Sequence, residues 1–279
     1  MEFEKKIMTV SNITKQFGDG CDKCTEDKNV LVKNYCPYCQ TIYACRNISF
    51  DLYEGEILGI VGESGSGKST FVRCLYFDQE TTSGSAFLPS YENGEVNILG
   101  VSSQKKRYIK DYLMGMVYQN PFLGLKMNFS AMSNVAEKLI AAGSRNVGEI
   151  KGISNNLLDI VNIEKFRRND APADFSGGMQ QRVQIAKALS NNPPILFLDE
   201  VTTGLDLSVQ ANVLDLIKKI QRDLKISMII VSHDLGVIKM LADRTLVMLD
   251  GEIIESGLTD QILEDPQQAY TQELVYSLL

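Results

Sequence analysis

The chain has 279 residues, 44% of them hydrophobic, which is enough to bury a substantial core as one two-lobed unit. Lys and Arg number 28 against 35 Asp and Glu, and the resulting net charge of -7 argues against nucleic acid as the main partner. No apolar run approaches the roughly 20 residues that span a bilayer, and Met1-Glu2-Phe3-Glu4-Lys5-Lys6 lacks the hydrophobic core of a secretion signal, so the expectation is a cytoplasmic enzyme.

Residues 1 to 17 and 42 to 118 are expected to hold the first strands and helix of a nucleotide lobe. Between them, 18 to 45 reads as an insertion. Cys21-x-x-Cys24 and Cys36-Pro37-Tyr38-Cys39 are two C-x-x-C pairs, and in a cytosolic chain paired knuckles of this kind point to a metal site rather than to disulfides. Four thiolates suit tetrahedral zinc, and so short a loop can hardly bury a core without such a staple. The intervening loop is shorter than the usual spacing of such sites, and an iron-sulfur cluster or reduced structural cysteines are the alternatives. Cys45 is a fifth thiol, either idle or a substitute ligand, and Cys74 falls in a helix as core.

Ile57-Leu58-Gly59-Ile60-Val61 reads as a buried strand and Ser69 to Phe77 as a helix. The residues joining them, Gly62-Glu63-Ser64-Gly65-Ser66-Gly67-Lys68-Ser69-Thr70, match G-x-x-x-x-G-K-[ST]. Glycines let backbone N–H groups curl around phosphate oxygens, and the helix N-terminus adds positive partial charge there. Lys68 is expected to reach the outer phosphates and the Ser69 hydroxyl to ligate magnesium, with Gly62, Ser64, Gly65, Gly67 and Thr70 completing the ATP cradle. A glycine-rich turn without a ligand would not need the Lys-Ser pair at this spacing.

Thr81 to Ser85 and Ser90 to Gly94 are surface turns. Met114 to Tyr118 is strand-like and ends at Gln119, whose neutral amide could ligate magnesium or orient water; by itself it would be a surface glutamine. Residues 122 to 175 lack strand patterning and are expected to form a helical lobe. Ser176-Gly177-Gly178 then precedes a helix-forming run from Met179 to Leu189, and a serine before glycines at a helix start is either an anion site or an ordinary cap.

Ile195-Leu196-Phe197-Leu198-Asp199-Glu200 is an apolar strand ending in two acids. Successive strand residues point to opposite sides, so Asp199 is assigned to magnesium, directly or through water, and Glu200, near the loop beyond the strand, to the attacking water as general base. Val209, Val213, Leu216, Ile217, Ile220 and Leu224 have the period of a helix packed on a sheet. His233, the only histidine, follows the strand-like Met228 to Ser232 and is expected to sense the γ-phosphate.

In combination, the phosphate loop, Gln119, Phe175-Ser176-Gly177-Gly178-Met179-Gln180, the acidic strand, Gly204-Leu205-Asp206 and His233 resemble the ABC ATPases over nearly the whole chain. The resemblance implies an α/β fold: a P-loop core on a mainly parallel sheet, an antiparallel β subdomain and a helical subdomain, residues 1 to 279 forming one such domain with the cysteine-rich insertion added. It also implies a head-to-tail dimer, of two copies or with a related cassette, in which Ser176, Gly177 and Gly178 of one cassette close over ATP and magnesium held by the other. Asp206 would lie at the seam, and Phe17 would stack on adenine. Val201 departs from the proline common after the acidic pair, altering a turn and removing no catalytic group.

Within that family, Asp51-Leu52-Tyr53-Glu54-Gly55-Glu56, Gly115 to Pro121, Val231 to Val237, Leu241 to Arg244, Glu255 to Asp260 and Tyr270 to Leu274 are similar to the ATP-binding subunits of carbon-phosphorus lyase systems. Such a subunit is implied to dock on a soluble enzyme complex in phosphonate breakdown, with no membrane permease. Asp265 to Thr271 also resembles peptide- and nickel-type importer ATPases, and cysteine-bearing ABC proteins that help activate methyl-coenzyme M reductase are a third possibility.

Overall fold

The structure is a computed structural model that describes residues 5 to 27 and 30 to 276, and it divides into two compact units, Met1–Ser102 with Val231–Leu279, and Ser103–Ile230.

The first unit opens with two long strands, β1 (Lys6–Phe17) and β2 (Ile42–Tyr53), joined by the cysteine-rich segment with its short helix α1 (Asp22–Glu26). They pair antiparallel from Lys6 opposite Tyr53 to Phe17 opposite Ile42. Met8, Val10 and Ile13 on β1 and Ile48 and Leu52 on β2 are buried, which sets one face of the ribbon against the core. β2 starts inside the stretch expected to be insertion, so Ile42 to Cys45 are ladder residues and the segment outside the sheet is 18 to 41. The five residues of β3 (Ile57–Val61) are all buried, as befits a strand covered on both faces. Helix α2 (Lys68–Leu75) follows, ending before Phe77 at φ 61°, two residues short of the expected span. Strand β4 (Ser83–Phe87) then completes a three-stranded antiparallel sheet of order β2-β1-β4.

The second unit begins with α3 (Ser103–Tyr112), β5 (Met114–Val117) and the single turn α4 (Pro121–Gly124). Helices α5 (Ala131–Ala141) and α6 (Val147–Ile160) start on Ser130, which accepts from Ser133 N–H, and Asn146, which accepts from Gly148 and Glu149 N–H; such caps are worth about 1 kcal/mol each. Helix α7 (Gly177–Ala188) packs on both. Strand β6 (Ile195–Asp199) pairs parallel with β5, Met114 opposite Ile195 and Val117 opposite Leu198. Helix α8 (Leu207–Leu224) buries Val213, Leu216, Ile217 and Ile220 of the expected stripe, while Leu224 is left exposed where Lys225 takes φ 51° and ends the helix. Strand β7 (Ser227–Val231), wholly buried, closes the unit.

The chain then returns to the first unit through α9 (Leu235–Leu241), β8 (Arg244–Leu249), β9 (Glu252–Leu258), α10 (Thr259–Glu264) and α11 (Ala269–Tyr276). β8 lies parallel to β3, Leu58 opposite Arg244 and Val61 opposite Val247, and antiparallel to β9. Two carboxylates fasten this join: Asp243 accepts Ile57 N–H at 2.8 Å, and buried Glu56 meets Arg244 at 3.0 Å. Burial raises Glu56 to about 7 against the pull of the nearby Tyr53 N–H and the Arg244 guanidinium. No helix among the described residues is long and apolar enough to cross a membrane.

Candidate functional site

In the first unit, β3 hands the chain to Gly62 at φ 151°, where a Cβ would lie 2.1 Å from the Met248 carbonyl oxygen. Gly67, at φ 100°, is tighter still, with the Ala44 carbonyl oxygen 1.8 Å from the Cβ position. Only glycine fits at either point, so the loop is seated directly on the backbones of β2 and β8. Lys68 is nearly fully buried, and its ammonium donates to the Gly62 and Glu63 carbonyls at 2.7 and 2.8 Å and to Ser66 Oγ at 3.4 Å. A buried cation needs such partners, and holding it beneath the arch keeps a positive charge beside the N-terminus of α2. Ser64 and Gly65 are exposed at the crest, and Ser69 and Thr70 are half-buried in the first helical turn.

Two further residues of this unit stand by the loop. His233 is exposed, just after Ser232, whose N–H donates to Ile60 of β3 at 3.1 Å. Tyr270 on α11 accepts the Glu63 N–H at 2.7 Å through its hydroxyl, a contact that sequence reading missed because 207 positions separate the two. Phe17 is exposed at the end of β1, with Lys15 Nζ 4.9 Å from its ring centroid.

In the second unit, Asp199 is the last residue of β6 and has no exposed surface. Glu200 lies beyond the strand at φ 47°, a left-handed backbone that glycine favours. The second acid thus lies just past the strand, and its positive φ, rather than strand alternation, sets its direction. Its Oε2 accepts from Gln119 Nε2 at 3.0 Å and from the Thr203 hydroxyl at 3.2 Å, which brings the two separately proposed residues together.

Helix α7 also reaches that corner. Gln184 accepts Tyr118 N–H at 3.1 Å and donates to the Tyr118 carbonyl at 3.1 Å, while Gln181 donates to the Gln119 carbonyl at 3.1 Å. Both glutamines are buried, and nothing in the pattern of the helix singled them out. At the helix start, Ser176 Oγ accepts Met179 N–H at 3.4 Å. A Cβ on Gly178 would lie 2.3 Å from Val209, so the serine-glycine turn is packed against α8. Asp206 caps α8 by accepting Val209 N–H at 3.0 Å and the Ser208 hydroxyl at 2.7 Å, and these bonds, the Ser208 one foremost, hold its carboxyl below the usual range.

The insertion brings Cys21, Cys24, Cys36 and Cys39 together, their sulfurs all within 4.8 Å. Cys21 and Cys24 are 3.7 Å apart, Cys21 and Cys36 3.9 Å, Cys24 and Cys39 3.7 Å. A disulfide needs about 2.05 Å, whereas a tetrahedral ion with bonds of about 2.3 Å has edges of about 3.8 Å. The set therefore fits one small tetrahedral ion, and it is too tight for an iron-sulfur cluster whose thiolates are spread over several irons. Burial opposes ionisation of Cys24, but the Tyr43 hydroxyl and the Cys21 N–H outweigh it and bring the thiol down to about 6. Cys45 is not in this set. It is buried on β2 with its thiol 3.6 Å from the Gly67 carbonyl, and burial pushes its pKa up, so of the two expectations it is the thiol outside the set and not a substitute ligand.

The protein-family model described as ABC transporter matches residues 45–203. This chain belongs to the ABC ATPases. It is 45% identical over 233 residues to an Escherichia coli K12 protein described as "Putative phosphonates utilization ATP-binding protein PhnK", covering 84% of this chain and 90% of that one. It is 37% identical to the oligopeptide transport ATP-binding protein OppF of Lactococcus lactis, over 85% of this chain and 72% of that protein. Identity is also 37% to the glutathione import ATP-binding protein GsiA of E. coli K12, of which the alignment spans only 39%. Among solved structures, the dimeric post-hydrolysis state of the ATP-binding cassette MJ0796 bound to ADP and Pi superposes with a TM-score of 0.75 at 27% identity, covering 91% of this chain and 99% of that one.

Proposed function

We propose that this ATPase works in the cytoplasm as one cassette of a dimer that closes on ATP and reopens on hydrolysis, and that the cycle remodels a soluble enzyme complex of the carbon-phosphorus lyase type. The observation that supports the partner assignment is the 45% identity with the E. coli protein described as a phosphonates utilization ATP-binding protein, over 84% of this chain and 90% of that one. In this reading Gly62, Ser64, Gly65, Gly67 and Thr70 cradle the phosphates, Lys68 neutralises the outer two, and Ser69 and Asp199 hold magnesium with Gln119 beside them. Glu200 takes the proton of the attacking water, and the Gln119 amide that bonds it keeps its carboxylate oriented. His233 reads the γ-phosphate, Phe17 stacks on adenine, and Ser176, Gly177 and Gly178 of the opposite cassette complete the site. Asp206 orders the seam by capping α8.

The four cysteines of the insertion hold zinc, which supplies structure and no step of the hydrolysis. Among the described residues, the core of the insertion is Cys24, Cys36 and Tyr43 with Cys21, Leu31 and Cys39 packed against them, whereas a structural zinc site contributes about 10–16 kcal/mol.

Three measurements test this. Glu200→Gln is expected to lower hydrolysis by about 10²- to 10⁴-fold while ATP still drives dimerisation in size-exclusion chromatography; near-normal turnover would remove Glu200 as the base. Elemental analysis is expected to find close to one zinc per chain. Purification from native cells is expected to bring a soluble lyase core. A polytopic permease instead would establish the second reading, an importer ATPase, which the 37% identity with OppF favours.

A further inference from the structure

The four-thiol cluster and the phosphate loop are separated by three residues of one strand. Tyr43 points its hydroxyl at Cys24 Sγ, 3.4 Å away, and is buried among the cysteines. The next residue, Ala44, carries the carbonyl on which Gly67 is seated, and the one after it, Cys45, directs its thiol to the Gly67 carbonyl at 3.6 Å. Arg46, whose guanidinium lies 5.1 Å from the centroid of the Tyr43 ring, donates its backbone N–H to the Gly251 carbonyl at 2.7 Å, and Gly251 N–H in turn donates to the Ser66 carbonyl at 3.1 Å. From the insertion itself, Lys33 reaches Glu63 of the loop at 3.9 Å. Two routes through residues 43 to 46 of β2 thus reach Gly67 and Ser66, and a third, from Lys33, reaches Glu63.

We propose that the knuckle is a metal-dependent brace for the nucleotide site, with Tyr43 as the positioning residue that transmits metal occupancy to the phosphate loop. The inference rests on the zinc reading above. A hydroxyl that donates to a metal-bound thiolate fixes both the ligand and its own ring, since a charged acceptor makes the stronger bond. With the metal in place, Tyr43 is pinned at one end by Cys24 and along its ring by Arg46, which holds the backbone of residues 43 to 46 at the height that Gly67 and Gly251 require. Without the metal the insertion has little core to order it, and the strand end that supports Gly67 loosens. The loop must present its N–H groups to phosphate in fixed positions, so the cost falls on ATP affinity rather than on the chemical step.

The test uses the full chain with its metal content measured. Affinity for a fluorescent ATP analogue with magnesium is compared before chelation, after chelation and after zinc is returned. The expected result is about a tenfold or greater loss of affinity on stripping, recovered with zinc. Tyr43→Phe keeps the ring and its contact with Arg46 and is expected to retain zinc, to raise KM for ATP about five- to tenfold with kcat little changed, and to lose most of the further response to chelation. Zinc that is present and removable without any change in nucleotide affinity overturns the brace and leaves the zinc reading standing. Protein that carries no metal and binds none overturns both. A Tyr43→Phe variant with wild-type KM, stripped or loaded, overturns Tyr43 as the link.

Discussion

The candidate phosphate loop at 62 to 70 sits between a fully buried strand and a helix, with glycines pressed onto the backbones of β2 and β8, while the insertion at 18 to 41, among its described residues, packs Cys21, Leu31 and Cys39 around buried Cys24 and Cys36. One is held by burial and backbone contact, and the other by a cluster of side chains that fits a metal. The loop is therefore intolerant of any added atom, and the insertion is intolerant of losing particular ones. Both lie in the same unit and share β2, so disturbance of either is felt at a common strand.

The largest effect is expected where the loop leaves no room. Gly67→Ala adds a methyl against the Ala44 carbonyl at a left-handed backbone position, costing about 2–5 kcal/mol from strain and overpacking together, and MgATP binding measured by calorimetry should fall below detection. Normal binding by this variant would mean that the loop is not seated on β2. Next comes Cys36→Ser, which should abolish bound metal and expose residues 18 to 41 to limited proteolysis while the rest of the chain resists; an insertion still protected would show that it folds without the ion. Tyr270→Phe removes an acceptor from Glu63 N–H and should raise KM for ATP about fivefold, the worth of one hydrogen bond, with kcat unchanged.

The smallest effect concerns the join of β3 and β8. Glu56 titrates near 7 in the folded chain against an ordinary value of 4.5, so the folded state binds that proton more tightly. Its contribution to stability is full below about 4.5 and is lost as pH rises through about 7. Glu56→Gln should flatten that part of the thermal-midpoint profile relative to wild type. An unchanged profile would show that Arg244 holds Glu56 ionised throughout.

Most of the candidate nucleotide site could be proposed from sequence because it is written in contiguous motifs. A glycine that must accept left-handed φ, a lysine at fixed spacing and an acidic pair after an apolar strand each express their physical requirement within a few residues. The cysteine set was legible for the same reason, since C-x-x-C knuckles bring two sulfurs together locally. What escaped were contacts made by residues of ordinary appearance: Gln181 and Gln184 look like any helical glutamines, and Tyr270 like any tyrosine in a terminal helix. For Glu200 the sequence offered the residue and its place beyond the strand but not its backbone, which takes φ 47° one residue after β6 ends.

By itself, then, the order of residues pointed to the family, the candidate phosphate loop and the four candidate metal ligands, because each motif depends on spacing within a short stretch of chain. The tertiary structure alone decided that Cys45 lies against the loop and not in the thiol cluster, that Gln119 meets Glu200, and that the Tyr43 hydroxyl meets Cys24. Those pairings depend on which backbones the folded sheet and helices place within hydrogen-bond reach, and no local spacing encodes that distance.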